Sequence, residues 1–325
     1  MTFRLINTVT WAVETFKVRH SPPYLAISHA WSDTVFPKRR PLDPSFGSDA
    51  IKQTILKRGF HDMRYCWIDL FCIIQDSEDD ICEQMPLMSY IYGDAKAVLI
   101  ILTNQLDLIQ EQVDYGTAQL EEAVAIWNAE AWTEDHLRQY WGLGQGRDKL
   151  VQAMNILSRF TNNAWGTRIW TLQEYILGTN ILWIGSDLEP ISISDELFVA
   201  IPGLCEQLEI PEVTLREKIV PTKYELLFSH FSGMAAQRVA AIDRTRVMEM
   251  LGNRRAFLPV DEVYGAMAAS TVEISVQPRE SKESAWKRWT EAALVAGHLR
   301  WLMIPPAILT TEESAEITCE GDWTL

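Results

Sequence analysis

The residues best suited to chemistry in this 325-residue chain lie in one short run, GTRIWTLQEYILG (166–178). A single carboxylate, Glu174, stands there among apolar or neutral residues, close to two indoles, Trp165 and Trp170. A carboxylate beside such a surface can stabilise a positive charge that develops in a transition state. On a helix of about 100° per residue, Trp165, Ile169, Leu172 and Ile176 share a stripe within about 60°. Glu174 falls about 180° from the start of that stripe, yet only about 40° from Trp170 and about 60° from Leu177. It is thus expected at the rim of an apolar face. A cleft carboxylate occupies such a position, and so does a surface glutamate next to a half-buried tryptophan. Thr171 and Glu174 also fit a T-x-x-E capping box, which would start a very short helix at Leu172.

Other suggestive residues have plainer readings. The acidic run DSEDD (76–80) resembles a Mg²⁺ site, but acids before Ile81 are expected simply at a helix N-terminus. WGLGQG (141–146) is rich in glycine but follows no strand, so a connector is favoured over a phosphate cradle. No metal site is expected. Five cysteines at irregular spacing suggest reduced thiols in a cytoplasmic protein, with Cys66 and Cys72 buried and inert. The formal charge of −15 disfavours nucleic acid, and the basic cluster KRR (38–40) reads as a solvated turn. The longest aliphatic stretch, AVLIIL (97–102), is too short to span a bilayer. The N-terminus is broken by Arg4 and Glu14 and is not expected to be a signal peptide.

These residues must be positioned by a framework of strands and helices. YLAISH (24–29), CWIDLFCI (66–73), KAVLIILT (96–103) and NILWIG (180–185) read as strands. Their near-continuous apolar character predicts burial on both faces, as in a parallel sheet. DAIKQTILKRG (49–59) and DICEQMPLMSYIYG (80–93) read as helices, the second late-starting or kinked at Pro86. The rhythm predicts an α/β fold with a mostly parallel sheet flanked by helices. Residues 104–150 are expected to be a helical insertion within a core spanning 1–190. Residues 191–325 are expected to be helical and packed on that core, through 223–242, 261–270 and 284–303.

Four ordered segments resemble the fungal heterokaryon-incompatibility (HET) domain. They are YLAISHAWSD (24–33), CWIDLFCIIQ (66–75) with EQMPLMSYIYGDAKAVLIIL (83–102), RIWTLQEYIL (168–177), and RRAFLPVDEVYGAM (254–267). His29, Ser32, Glu262 and Gly265 depart from the usual pattern. HET domains in turn resemble Toll/interleukin-1 receptor (TIR) domains, which implies a flavodoxin-like fold. LAISHAWSD is similar to the first TIR strand and its loop, and RIWTLQE to the segment whose glutamate is catalytic in NAD-cleaving TIR domains. The resemblance therefore puts Glu174 at the catalytic position and Trp170 at the tryptophan, with Thr171 replacing a cysteine.

What this implies is chemically coherent. Breaking the nicotinamide–ribose bond of NAD leaves an oxocarbenium-like ribose, and the departing group needs no protonation because it is already cationic. One ionised carboxylate can stabilise that ribose, and no cofactor is needed because NAD is itself the substrate. An indole face, Trp31 or Trp170, can hold the cationic ring. Ligands of open α/β sheets bind beyond the carboxyl ends of strands. Ser28, His29, Trp31 and Asp33 follow the first predicted strand, and Asp69 lies near the end of the second. Arg168 can meet a phosphate or pair with a carboxylate. Each also has a structural reading: a turn cap, a core indole, a hydrogen-bonded histidine or an ion pair.

The leading expectation is a cytoplasmic self-recognition or cell-death protein that hydrolyses NAD when assembled; a fully buried or strand-remote Glu174 would refute it. The alternatives are a non-enzymatic module that self-associates through a TIR-like core, and a biosynthetic transferase acting on another nucleotide-like substrate.

Overall fold

The computed structural model describes residues 1–31, 63–102, 105, 107–128, 145–194, 197–198, 254–267, 270 and 272–297. Asp33, KRR (38–40), the predicted helices at 49–59 and 223–242, and most of WGLGQG lie outside the described residues.

The strands are β1 (Thr2–Asn7), β2 (Val13–Lys17), β3 (Tyr24–Ser28), β4 (Tyr65–Ile68), β5 (Ala97–Ile101), β6 (Ile181–Ile184) and β7 (Pro190–Ile191). They form one open sheet in the order β2-β1-β4-β3-β5-β6-β7. The fold is α/β, as expected, but the sheet is mixed. Parallel pairing is confined to the central four strands, β4-β3-β5-β6. The outer pairs, β1 with β2, β1 with β4, and β6 with β7, are antiparallel.

Every residue of β3 and β5 is buried, as apolar runs covered on both faces require. The N-terminal hairpin of β1 and β2 was not anticipated. Its signal is weak because Arg4 interrupts β1, where its guanidinium reaches the Cys72 carbonyl at 2.6 Å and pairs with Asp80. Trp11, with φ 58°, sits in the turn between the two strands.

One predicted strand is cut short. CWIDLFCI was read as extended to residue 73, but β4 stops at Ile68 and the chain turns into a helical segment, α1 (Asp69–Cys72). The Asp69 carboxylate accepts the Leu70 amide at 2.6 Å, a local bond that competes with the ladder. Ser77 caps α2 (Glu78–Gln84), and Glu78, Asp79 and Asp80 occupy its first turn. Pro86 breaks the regular helix as expected: a 3-10 turn, Met85–Leu87, separates α2 from α3 (Met88–Gly93).

Between β5 and β6 run α4 (Gln110–Asn128) and α5 (Gln145–Leu157), which pack on each other. The helix carrying the candidate carboxylate, α6 (Trp170–Leu177), directly precedes β6. Toward the C-terminus, α7 (Asp261–Met267) packs on α6 and on α8 (Lys282–Val295).

The main core wraps the sheet and includes Trp67, Trp165, Tyr24, Tyr175, Phe3 and Phe160. A smaller cluster of Val263, Tyr264, Met267, Val272, Ala285 and Trp289 seals α7 against α8. That small core is fastened by Glu280, whose side chain is only 3% exposed. It accepts Tyr264 Oη–H, Ser284 Oγ–H at 2.8 Å and both Arg288 Nη1 contacts at 3.0 and 3.1 Å. Arg288→Met would leave a buried carboxylate without its cation. It should destabilise the chain by about 3 kcal/mol, read as a lower denaturant midpoint. An unchanged midpoint would mean that Tyr264 and Ser284 suffice.

Candidate functional site

Strand order creates the site. β3 sits between β4 and β5, so the chain runs to one side after β3 and returns to the other. At such a switch point a crevice forms beyond the carboxyl ends of the strands. Ser28, paired in register with Ile100, is the last residue of β3, and His29 and Trp31 follow it. Asp69 follows the last residue of β4.

Ser28 joins the two halves of the site. Its hydroxyl donates to Glu174 Oε2 and accepts the Trp165 Nε1–H at 2.6 Å. Asp69 anchors the second half: Trp31 Nε1–H donates to its Oδ2 at 2.7 Å, and His29 Nε2 lies 3.3 Å from its Oδ1. Arg168 bridges them. Its Nη1 donates to the His29 carbonyl at 2.9 Å, and its guanidinium lies 5.6 Å from the centroid of the Trp31 ring.

Glu174 is only 5% exposed, not at a rim. The helical-wheel reading fails because α6 is covered almost all round: Thr171, Leu172, Gln173, Tyr175 and Leu177 are also buried. The capping-box reading fails as well, since α6 starts at Trp170 and has no side-chain cap. Trp170 is turned away to the smaller core, packing on it while hydrogen bonding Asp261. Of the expected residues, then, Ser28, His29, Trp31, Asp69, Arg168 and Glu174 are brought together. Trp170 is turned elsewhere, and Asp33 is outside the described residues.

Three residues join this group without having been singled out as site residues. Trp165 was read as part of a core stripe; its ring is buried, but its N–H serves Ser28. Tyr92, on α3, is buried with its phenol near Glu174 and Asp69. Arg254 comes from the RRAFLP segment. The signal for Tyr92 and Arg254 was present, since both fall in quoted motifs, but nothing local distinguished them from core and surface residues.

Burial dominates the electrostatics. It raises the Glu174 carboxyl from an ordinary 4.5 to about 7, helped by the nearby Asp69 charge and opposed by Arg168, Ser28 and His29. Burial also works to raise Asp69, but the bond and charge of His29, with Arg168 and the Trp31 N–H, bring it below its ordinary value. The Tyr92 phenol is pushed well up by burial and by the Glu174 and Asp69 charges. Two carboxylates of opposite tendency therefore share one cluster: Asp69 ionised, and Glu174 poised near neutrality. Strongly perturbed groups gathered at strand ends make this cluster the candidate functional site.

Residues 24–174 match the family model described as heterokaryon incompatibility protein (HET). Over these residues the chain is similar to the HET family, and the matched segment runs from the first residue of β3 to Glu174 itself. The RRAFLPVDEVYGAM segment lies beyond the match. Comparison with curated proteins and with solved structures found no match. Among the described residues, no helix is long and apolar enough to cross a membrane. Nor does any group of three His, Cys, Asp or Glu side chains among them have a metal-binding arrangement. Two of the DSEDD acids are otherwise engaged, Asp80 with Arg4 and the Ile74 amide, and Glu78 with Arg279.

Proposed function

We propose that this HET domain hydrolyses NAD at the nicotinamide–ribose bond, in the cytoplasm, as part of self-recognition and cell-death signalling through self-association. The Ser28–Glu174 hydrogen bond carries the reading. It joins the first and third motif segments at the carboxyl end of the central strand, and puts the one poised carboxylate where an open α/β sheet binds ligands. The order of the four parallel strands supports a flavodoxin-like, TIR-like core. Free Cys66, Cys72 and Cys82 are in keeping with a reducing compartment.

In the reaction the ribose C1′–N bond breaks and its electron pair passes to the nicotinamide nitrogen. Ionised Glu174 stabilises the cationic ribose, water adds its oxygen to C1′, and one proton is released. Ser28 Oγ–H holds the carboxylate in place, and Trp31, oriented by Asp69, offers a ring face to the cationic nicotinamide. The Arg168 guanidinium, 5.6 Å from the Trp31 ring centroid, supports this role for the indole. Because Glu174 is nearly enclosed, substrate enters only when the cluster opens, and assembly is the step we assign to that opening.

The test is nicotinamide release by the full chain, dilute and artificially clustered, beside Glu174→Ala. Turnover on clustering and its loss in the mutant are expected. Since only the ionised carboxylate works, kcat/KM should rise with pH and level off above about 7. No turnover in either state would overturn the proposal. The burial of Glu174 specifically favours a second reading, a non-enzymatic interaction module, with Phe257 (97% exposed) and Leu258 (52%) as projecting apolar contacts. That module would self-associate normally with Glu174→Ala and release no nicotinamide.

A further inference from the structure

The segment beyond the family match is fastened to the carboxylate helix at several points. Arg255 and Arg168 form a short parallel bridge: the Ile169 amide donates to the Arg255 carbonyl at 3.1 Å, and the Arg255 amide to the Thr167 carbonyl at 2.6 Å. Gln173 Nε2 donates to the carbonyls of Tyr264 and Gly265. A Cβ at Gly265 would sit 2.7 Å from the Ile169 side chain, so α7 approaches α6 closely.

Within this clamp Arg254 is 9% exposed. Its Nη1 donates to Thr171 Oγ1 at 2.7 Å and to the Arg168 carbonyl at 2.9 Å. The same guanidinium lies 5.9 Å from the Trp165 ring centroid. Thr171 precedes Glu174 by one helical turn, and Trp165 donates to the Ser28 hydroxyl that holds Glu174. Thr171 Oγ1 also lies 2.6 Å from the Trp165 carbonyl, to which it donates. One cation therefore touches both supports of the carboxylate.

We propose that Arg254 is a positioning residue for Glu174, which fixes the carboxylate against Ser28 through Trp165 and the Thr171 turn and favours its ionised form. Its catalytic meaning rests on the NAD reading above; the positioning itself does not. Burial lowers the Arg254 guanidinium to about 10, and the Glu174 charge works against that fall, so the two groups attract across the buried interior. The other titratable groups facing Glu174 are Asp69, Arg168, His29 and Tyr92. Arg168 among them is itself held by Arg254 through its carbonyl. This makes the C-terminal segment part of the site, although it lies outside the matched residues.

The experiment titrates Glu174 directly in the full chain, following its protonated-carboxyl infrared band and assigning it by its absence in Glu174→Gln. In Arg254→Gln the midpoint should move up, because an opposite charge is lost. Arg254→Lys should restore most of the shift. Thr171→Val, which keeps the arginine and removes its acceptor, should move the midpoint in the same direction and serves if Arg254→Gln does not fold. Nicotinamide release should then fall in kcat with KM little changed. A folded Arg254→Gln or Thr171→Val chain with an unmoved midpoint would overturn the proposal. If the wild-type chain released no nicotinamide, the NAD reading would fail while the infrared midpoints still decided the role of Arg254.

Discussion

Glu174→Gln should make the protein more stable above pH 7 while removing the proposed NAD cleavage. The Glu174 carboxyl titrates near 4.5 when unfolded and at about 7 when folded, so the folded state holds its proton more tightly. For a group raised in this way, the favourable contribution is complete below about 4.5. It is lost as pH rises through the folded value, because the buried carboxylate must then ionise in a poor solvent. The difference corresponds to about 3 kcal/mol at pH 8, and with Glu174 5% exposed little of it is screened away. Glutamine has nearly the same shape and can still accept the Ser28 hydroxyl, but carries no charge.

Thermal melts from pH 4 to pH 8 should show the Glu174→Gln chain melting several degrees higher at pH 8, the gap closing below about 4.5. A wild-type chain that is the more stable at pH 8 would mean that Arg168 and Arg254 more than compensate the buried charge. The glutamate would then be an element of stability. The predicted pattern is the opposite, a residue kept at a cost to stability, as expected where a group is retained for function.

Gly166→Ala should be the most damaging single methyl in the site. A Cβ there would lie 1.9 Å from the Thr161 carbonyl oxygen and 2.6 Å from its carbon, so backbone must move. The neighbouring turn has little room to give. The Asn162 amide is bonded to the Ser158 carbonyl at 2.6 Å, and the Gly166 amide to Asn163 Oδ1 at 2.7 Å. Thr161 and Trp165 are completely buried.

Overpacking of this kind costs about 3 kcal/mol. Because the turn presents Trp165 to Ser28, the loss should extend to the site. A reduced denaturant midpoint and a weakened near-UV tryptophan signal are expected together. A chain with wild-type values for both would show that the turn can open without disturbing the indole.

How much of this was legible in the residues varies with the range of the cause. The strands at the centre of the sheet announced themselves, because burial on both faces demands near-continuous apolar side chains, as in YLAIS and AVLII. The break at Pro86 was equally plain, since a missing amide is a local fact. The motif segments pointed to Ser28, Asp69 and Glu174 as chemically interesting before any fold was known. The hairpin of β1 and β2 was not visible, because its edge position tolerates the polar residues that obscure the pattern.

Other features depended on the tertiary structure. A helical wheel measures only the helix's own residues, so it put Glu174 at a rim. The packing of α3 and α7 on α6, with Ser28 of β3 against the carboxylate, enclosed it, and that enclosure made it harder to ionise. Trp170 is close to Glu174 on the wheel but was drawn off by Asp261 and the C-terminal core. Arg254 is 80 positions from Glu174 in the chain, and no spacing rule links them. The sequence alone determined the α/β class and the HET resemblance, and it pointed to Glu174 as the candidate carboxylate, because these rest on local apolar pattern and on short motifs. Only the folded chain decided the protonation, partners and accessibility of that carboxylate, because desolvation and charge act through space between residues the sequence keeps far apart.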